Sequence, residues 1–237
     1  MKPEAQTSPI ATITVANAEL LASHDARTAQ EFCDEILRLA DQDAIKAIVV
    51  RVEPSPSADA RAQPPANAGA AAAPQRAYLG PAGLYQTLVF CKKPVIAQLH
   101  GPIGPMGALI GLYADLAVAD IDSAFPSPFD LVPEANFMIA ALTMRLDRAK
   151  AWLLDAEPLT VAEAEEIGLV NVAVPRGEVE ARALDLAQRA AAMPLDGITV
   201  SKMNLNACLD AMGVGQDFDL AGFFGAGMQM PSMLGGT

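Results

Sequence analysis

The chain has 237 residues, 52% of them apolar and 19% charged, with a formal net charge of −12. Such a length and composition suit a folded protein with a sizeable core and exclude an intrinsically disordered one. The acidic balance argues against nucleic acid and anionic membranes as partners, because both are bound through clustered Lys and Arg.

The N-terminal MKPEAQTSPI lacks an apolar h-region, so no secretory signal is expected. Cys33, Cys91 and Cys208 are odd in number, far apart and without metal-ligand spacing, which predicts reduced thiols and a cytoplasmic protein. Residues 10–16 (IATITVA) alternate as a β-strand does, and residues 25–39 show helical spacing with Ala29, Phe32, Ile36 and Leu39 on one face. Residues 44–52 (AIKAIVVRV) read as a second strand, apolar enough to be central. This β-α-β order implies a parallel pair with a right-handed crossover. Residues 53–81 are rich in proline and alanine and read as a long loop, and 83–90 return to helical spacing.

The stretch KKPVIAQLHGPIGPMGALIGLYADLAVAD, residues 92–120, organises the chain. A short apolar strand at 95–99 feeds a turn with glycines at 101, 104 and 107 and prolines at 102 and 105. A helical pattern follows through Ala108, Leu109, Leu112, Tyr113 and Leu116. A helix that starts on such a turn offers unpaired N–H groups to negative charge, either a phosphate or an oxyanion developing in a reaction. The phosphate motifs fail on spelling: no Lys follows Gly107, and the glycines are spaced 3 and 3, not as GxGxxG. The oxyanion reading stands beside a plainer one, in which the glycines serve a tight turn and close helix packing. Residues 94–114 carry no charge, but their glycines, prolines, Gln98 and His100 predict a buried strand, turn and helix and no membrane span.

Downstream, 117–119 and 124–125 read as short strands and 139–154 as one helix. Thr160 and Glu163 spell a capping box for a helix closed by Gly168. A strand at 170–174 and helices at 178–193 and 198–212 complete the pattern. No Ser/His/Asp constellation, metal cluster or internal repeat is expected.

KPVIAQLHGPIGPMGALIGLYADLAVAD, SAFPSPFDLVPEA and LTVAEAEEIGLVNVAVP together resemble the crotonase (enoyl-CoA hydratase/isomerase) superfamily as a divergent member, over roughly residues 10 to 210. The resemblance implies an α/β fold: a crotonase-like core of repeated ββα units at 1–195 and a C-terminal helical segment at 196–237 used for trimerisation. It also implies acyl-CoA as substrate, coenzyme A entering as part of that substrate and no tightly bound cofactor. The assembly expected is a homotrimer or hexamer, or a hetero-oligomer with another crotonase.

The site residues are likewise carried over from the resemblance. The family's two oxyanion donors map to the main-chain amides of Ala70, within Asn67-Ala68-Gly69-Ala70, and of Met106, where the family has the middle of three glycines. Ala68, Gly69, Gly107 and Phe129 are expected to line the substrate site, and Lys202 to approach the CoA phosphates. Of the two hydration glutamates, the first position holds Leu109 and the second Phe129. SPF…PE resembles instead the isomerases with a single glutamate, which makes Glu134 the acid/base and Asp130 the alternative. One carboxylate suffices for double-bond isomerisation. A C–C hydrolase or lyase acting on a bulky acyl-CoA, and a non-catalytic subunit partnering an active homologue, are the other readings. His100, where the family usually has Asn, is expected to orient the turn, and His24 to be exposed.

Overall fold

The computed structural model describes residues 8–22, 27–54, 83–129, 137–155 and 157–214. In chain order the strands are β1 (Ile10–Val15), β2 (Ala47–Val52), β3 (Val95–Leu99), β4 (Leu116–Asp120), β5 (Ala124–Phe125), β6 (Leu159–Thr160) and β7 (Val172–Val174). The helices are α1 (Arg27–Ala40), α2 (residues 83–89), α3 (Pro105–Tyr113), α4 (Met138–Thr143), α5 (Leu146–Leu154), α6 (Val161–Glu166), α7 (Val179–Ala191) and α8 (Leu195–Ala211). A 3-10 turn, Ala18–Ala22, follows β1.

Five strands form one parallel sheet in the order β1-β2-β3-β4-β7, and β5 and β6 pair antiparallel beside it. Parallel strands are covered on both faces and so read as unbroken apolar runs, which is what AIVVRV and VIAQL are. Alternate side chains part to the two sides: Ala47, Val49, Ile96 and Val118 pack on α7 with Val179, Ala183 and Ala187. Ile48, Val50, Val95, Ala97 and Leu99 face the larger core with α1, α2 and α3. Ile48 and Ile96 are fully buried, each worth about 1.5–3 kcal/mol in removal from water.

Three boundaries differ from the sequence reading. Leu116 opens β4 instead of ending the glycine-turn helix, which stops at Tyr113. The helix expected over 139–154 is two, α4 and α5, with Met144 and Arg145 in extended backbone between them. At this break Gly168 (φ +89°) comes so close to the Thr143 carbonyl that a Cβ would lie 3.2 Å from its oxygen. The last helix starts earlier, at Leu195, because Pro194 caps it. The capping box is formed as spelled: Glu163 N–H donates to Thr160 Oγ1 while Glu163 Oε2 accepts from Thr160 N–H.

Candidate functional site

The turn after β3 lies at the C-terminal edge of the sheet, where open parallel sheets bind ligands. Gly101 has φ +61°, a backbone shape glycine adopts without strain, and Ser123 Oγ donates to its carbonyl at 2.8 Å. Pro105 takes the first position of α3, where a missing N–H costs no helical bond. Gly107, expected to line the substrate site, has a packing role: a Cβ there would sit 2.6 Å from Ile103 Cγ2 and 3.3 Å from Val52 Cγ1. The glycine brings α3 directly onto the end of β2.

Met106 follows, its side chain fully buried. Its amide is one of the first-turn N–H groups that no helical carbonyl can reach, and it donates to Glu19 Oε1 at 3.2 Å. Glu19 belongs to the 3-10 turn after β1 and is 6% exposed. Burial pushes its carboxyl up to about 6 from the ordinary 4.5, while the Met106 hydrogen bond pulls the other way. Asn17 Oδ1 accepts the Glu19 N–H at 3.2 Å, an Asx turn that fixes where the side chain leaves the backbone. Sequence reasoning missed Glu19. Its signal was a single acid inside the apolar run ANAELLA, whose Ala18 and Leu21 are also buried.

Leu109, at the position of the family's first glutamate, is wholly buried in the core, so no carboxylate enters the site from α3. Lys202, expected at the CoA phosphates, is instead buried, with Nζ 2.5 Å from Asp115 Oδ1. Asp115 Oδ2 accepts from Val95 N–H at 2.8 Å, so this pair fastens α8 to the first residue of β3. Met106 follows the strand's other end. Phe129 is partly exposed and its ring meets that of Phe137, with centroids 5.7 Å apart, across residues 130–136. Ala68, Gly69, Ala70, Asp130, Glu134 and His24 lie outside the described residues.

A polar network occupies the α7 side of the same edge. Gln98 Nε2 lies 2.5 Å from His100 Nε2, and with the amide donating the ring accepts there and carries its proton on Nδ1. Burial first, then the Arg51 charge, hold the His100 pKa below its ordinary value, so the ring is neutral. Arg51 pairs with Glu53 at 2.6 Å and Glu180 at 3.5 Å, and Arg176 approaches Asp120 Oδ2 at 3.8 Å. The His100 ring is thus bonded to the side chain of Gln98 in β3. A separate cleft of about 140 Å³ between α5 and α6, lined by Arg148, Trp152, Asp155, Glu163 and Glu166, has its charged groups open to water. Among the described residues no three His, Cys, Asp or Glu side chains gather as metal ligands, and no helix is long and apolar enough to cross a membrane.

The profile of the enoyl-CoA hydratase/isomerase family matches residues 5–220. The chain is 27% identical over 134 residues to the protein named as enoyl-CoA hydratase EchA13 of Mycobacterium tuberculosis, covering 54% of this chain and 41% of that one. It is 30% identical over 131 residues to the bacillaene synthase decarboxylase PksI of Bacillus subtilis, covering 53% and 52%. The matched region thus spans about half the length, or less, of these curated relatives. An enoyl-CoA hydratase/isomerase from Xanthobacter autotrophicus Py2 has the same fold, with a TM-score of 0.73 over 93% of this chain and 84% of that one at 22% identity. A glycine-shaped turn that presents one buried amide at a helix start, inside a region matched almost end to end, places the chain in the enoyl-CoA hydratase/isomerase family of the crotonase superfamily, as a divergent member.

Proposed function

We propose that the chain binds a coenzyme A thioester and stabilises its enolate, and that the reaction is double-bond isomerisation of an enoyl-CoA. The observation that supports this reading is the Met106 amide: it lies in the first turn of α3, is buried, and already donates to an oxygen atom, Glu19 Oε1, whose place a carbonyl oxygen would take or share. The acyl carbonyl oxygen would take that place, with the Ala70 amide as second donor. Glu134 would remove a proton at one carbon and return it at the other. Leu109 supports isomerisation over hydration, which needs a second carboxylate. Coenzyme A enters only as part of the substrate. Lys202 is engaged by Asp115, so the phosphates require another cation.

Incubation with a panel of 2-enoyl and 3-enoyl CoA thioesters, wild type against Glu134→Gln, tests the reading. Loss of α-proton exchange in the variant alone is expected, and equal exchange in both removes Glu134 from the mechanism.

Two other readings each have an observation behind them. A lyase step such as decarboxylation makes the enolate by C–C cleavage without a base, which suits Leu109 and the likeness to a decarboxylase. A non-catalytic subunit suits the occupied Met106 amide. For assembly, the open apolar side chains of α8, Val200 (56% exposed), Met203 (61%) and Leu205 (60%), support a trimer or pair of trimers, or a hetero-oligomer with another crotonase.

A further inference from the structure

One N–H cannot serve two oxygens equally. A carbonyl oxygen bonded to the Met106 amide must replace Glu19 Oε1, which now accepts from it at 3.2 Å, or lie beside it. In either case that oxygen comes within touching distance of the Glu19 carboxyl. Two unprotonated oxygens there repel, and more so as the carbonyl becomes an enolate. A protonated carboxyl instead supplies an O–H donor to the same oxygen.

We propose that Glu19, as a neutral carboxylic acid, is a hydrogen-bond donor to the substrate's carbonyl oxygen alongside the Met106 amide, so that an acyl thioester binds with uptake of one proton. This rests on the thioester reading given above and adds to it a catalytic residue. The bond changes balance without Glu19 losing its proton. The base takes the α-proton, the C–H pair forms the Cα–C double bond, and the carbonyl π pair moves to the oxygen that Glu19 and Met106 hold. Return of a proton to carbon reverses the electron flow.

The surroundings favour the acid form. The 3-10 turn that carries Glu19 packs on α3 and α1. The one titratable side chain of α3 is Tyr113, and that of the buried face of α1 is Cys33; burial raises both pKa values, so both are neutral. Arg27, Glu31, Asp34 and Arg38 of α1 are exposed, and half-exposed Glu35 is paired with Arg38. No charged side chain among the described residues shifts the carboxyl, which burial alone raises toward neutrality.

The test uses butyryl-CoA carrying ¹³C at the thioester carbonyl, with wild type, Glu19→Gln and Glu19→Leu, each first shown to unfold cooperatively. Calorimetry in buffers of different ionisation enthalpy is expected to find close to one proton taken up per site at pH 8 for wild type and none for either variant. The wild-type dissociation constant should rise about tenfold per pH unit above pH 6–7 and stay flat in the variants. The carbonyl infrared band should shift most in wild type, less in Glu19→Gln, which keeps an N–H donor, and least in Glu19→Leu. Binding by wild type without proton uptake, or an equal carbonyl shift in Glu19→Leu, overturns the role of Glu19 and leaves the thioester reading standing. No binding even at pH 5, where the carboxyl is already protonated, overturns both.

Discussion

At each end of β3 a carboxylate accepts a hydrogen bond from a backbone amide, yet the two are built to opposite purposes. Asp115 takes the Val95 amide on one oxygen and the Lys202 ammonium on the other, and its side chain is 29% exposed. Its charge is matched by a cation and by water. Glu19 takes the Met106 amide, is 6% exposed, and has no cation among the described residues to balance it. A single neutral donor replaces only part of the hydration that a carboxylate loses on burial. The first arrangement is a fastener. The second is a charge held at a cost, and such sites are found where chemistry is done.

The comparison breaks most visibly at Lys202. Lys202→Ala removes a buried stem and leaves Asp115 with the Val95 amide alone. Because Asp115 is partly exposed, the loss should fall at the low end for a broken buried pair, about 3 kcal/mol in urea unfolding. The affinity for acyl-CoA should change little in molecules that remain folded. Unchanged stability with weakened CoA binding would instead make Lys202 a phosphate ligand, as the sequence suggested.

The next largest effect lies in the pH dependence of stability that Glu19 brings. The folded-state pKa of Glu19 is raised to about 6 from 4.5, so protonation favours the folded chain. That stability is fully present below pH 4.5 and is lost as pH rises through 6, with a ceiling of about 2 kcal/mol. Glu19→Gln cannot ionise and keeps an acceptor for the Met106 amide. Relative to wild type it should gain stability between pH 4.5 and 7 by up to about 2 kcal/mol, read from unfolding curves at fixed pH steps. A difference that does not vary with pH would mean that burial does not raise the Glu19 carboxyl.

The sequence carried the frame of this site better than its working parts. The strand-turn-helix at 95–113 was legible because both signals are local: an apolar run of strand length, and Gly and Pro at positions where backbone geometry demands them. The Thr160–Glu163 capping box was legible for the same reason. Glu19 was not, because its importance comes from a contact 87 residues away with Met106. The partner of Lys202 was hidden for a parallel reason: an isolated lysine on a helix looks solvent-facing until Asp115, also 87 residues away, is folded against it. The break between α4 and α5 had no Gly or Pro to announce it and lies where Gly168 crowds the Thr143 carbonyl. Local chemistry was readable, and partners distant along the chain were not.

The finest test of the contrast lies at Asn17. Its Oδ1 accepts the Glu19 N–H at 3.2 Å, so the residue steers the Glu19 backbone. Asn17→Ala removes one partly exposed side chain-to-backbone bond, and the stability loss should be about 0.5–1 kcal/mol. Its diagnostic effect is on position. With the turn loosened, Glu19 Oε1 spends less time on the Met106 amide, which is the interaction that lowers its pKa. The pKa of Glu19, followed by the carboxyl ¹³C shift, should therefore rise further. A fall in the Glu19 value would mean that freedom lets the carboxylate reach water, and that Asn17 holds the charge in its buried place against solvent.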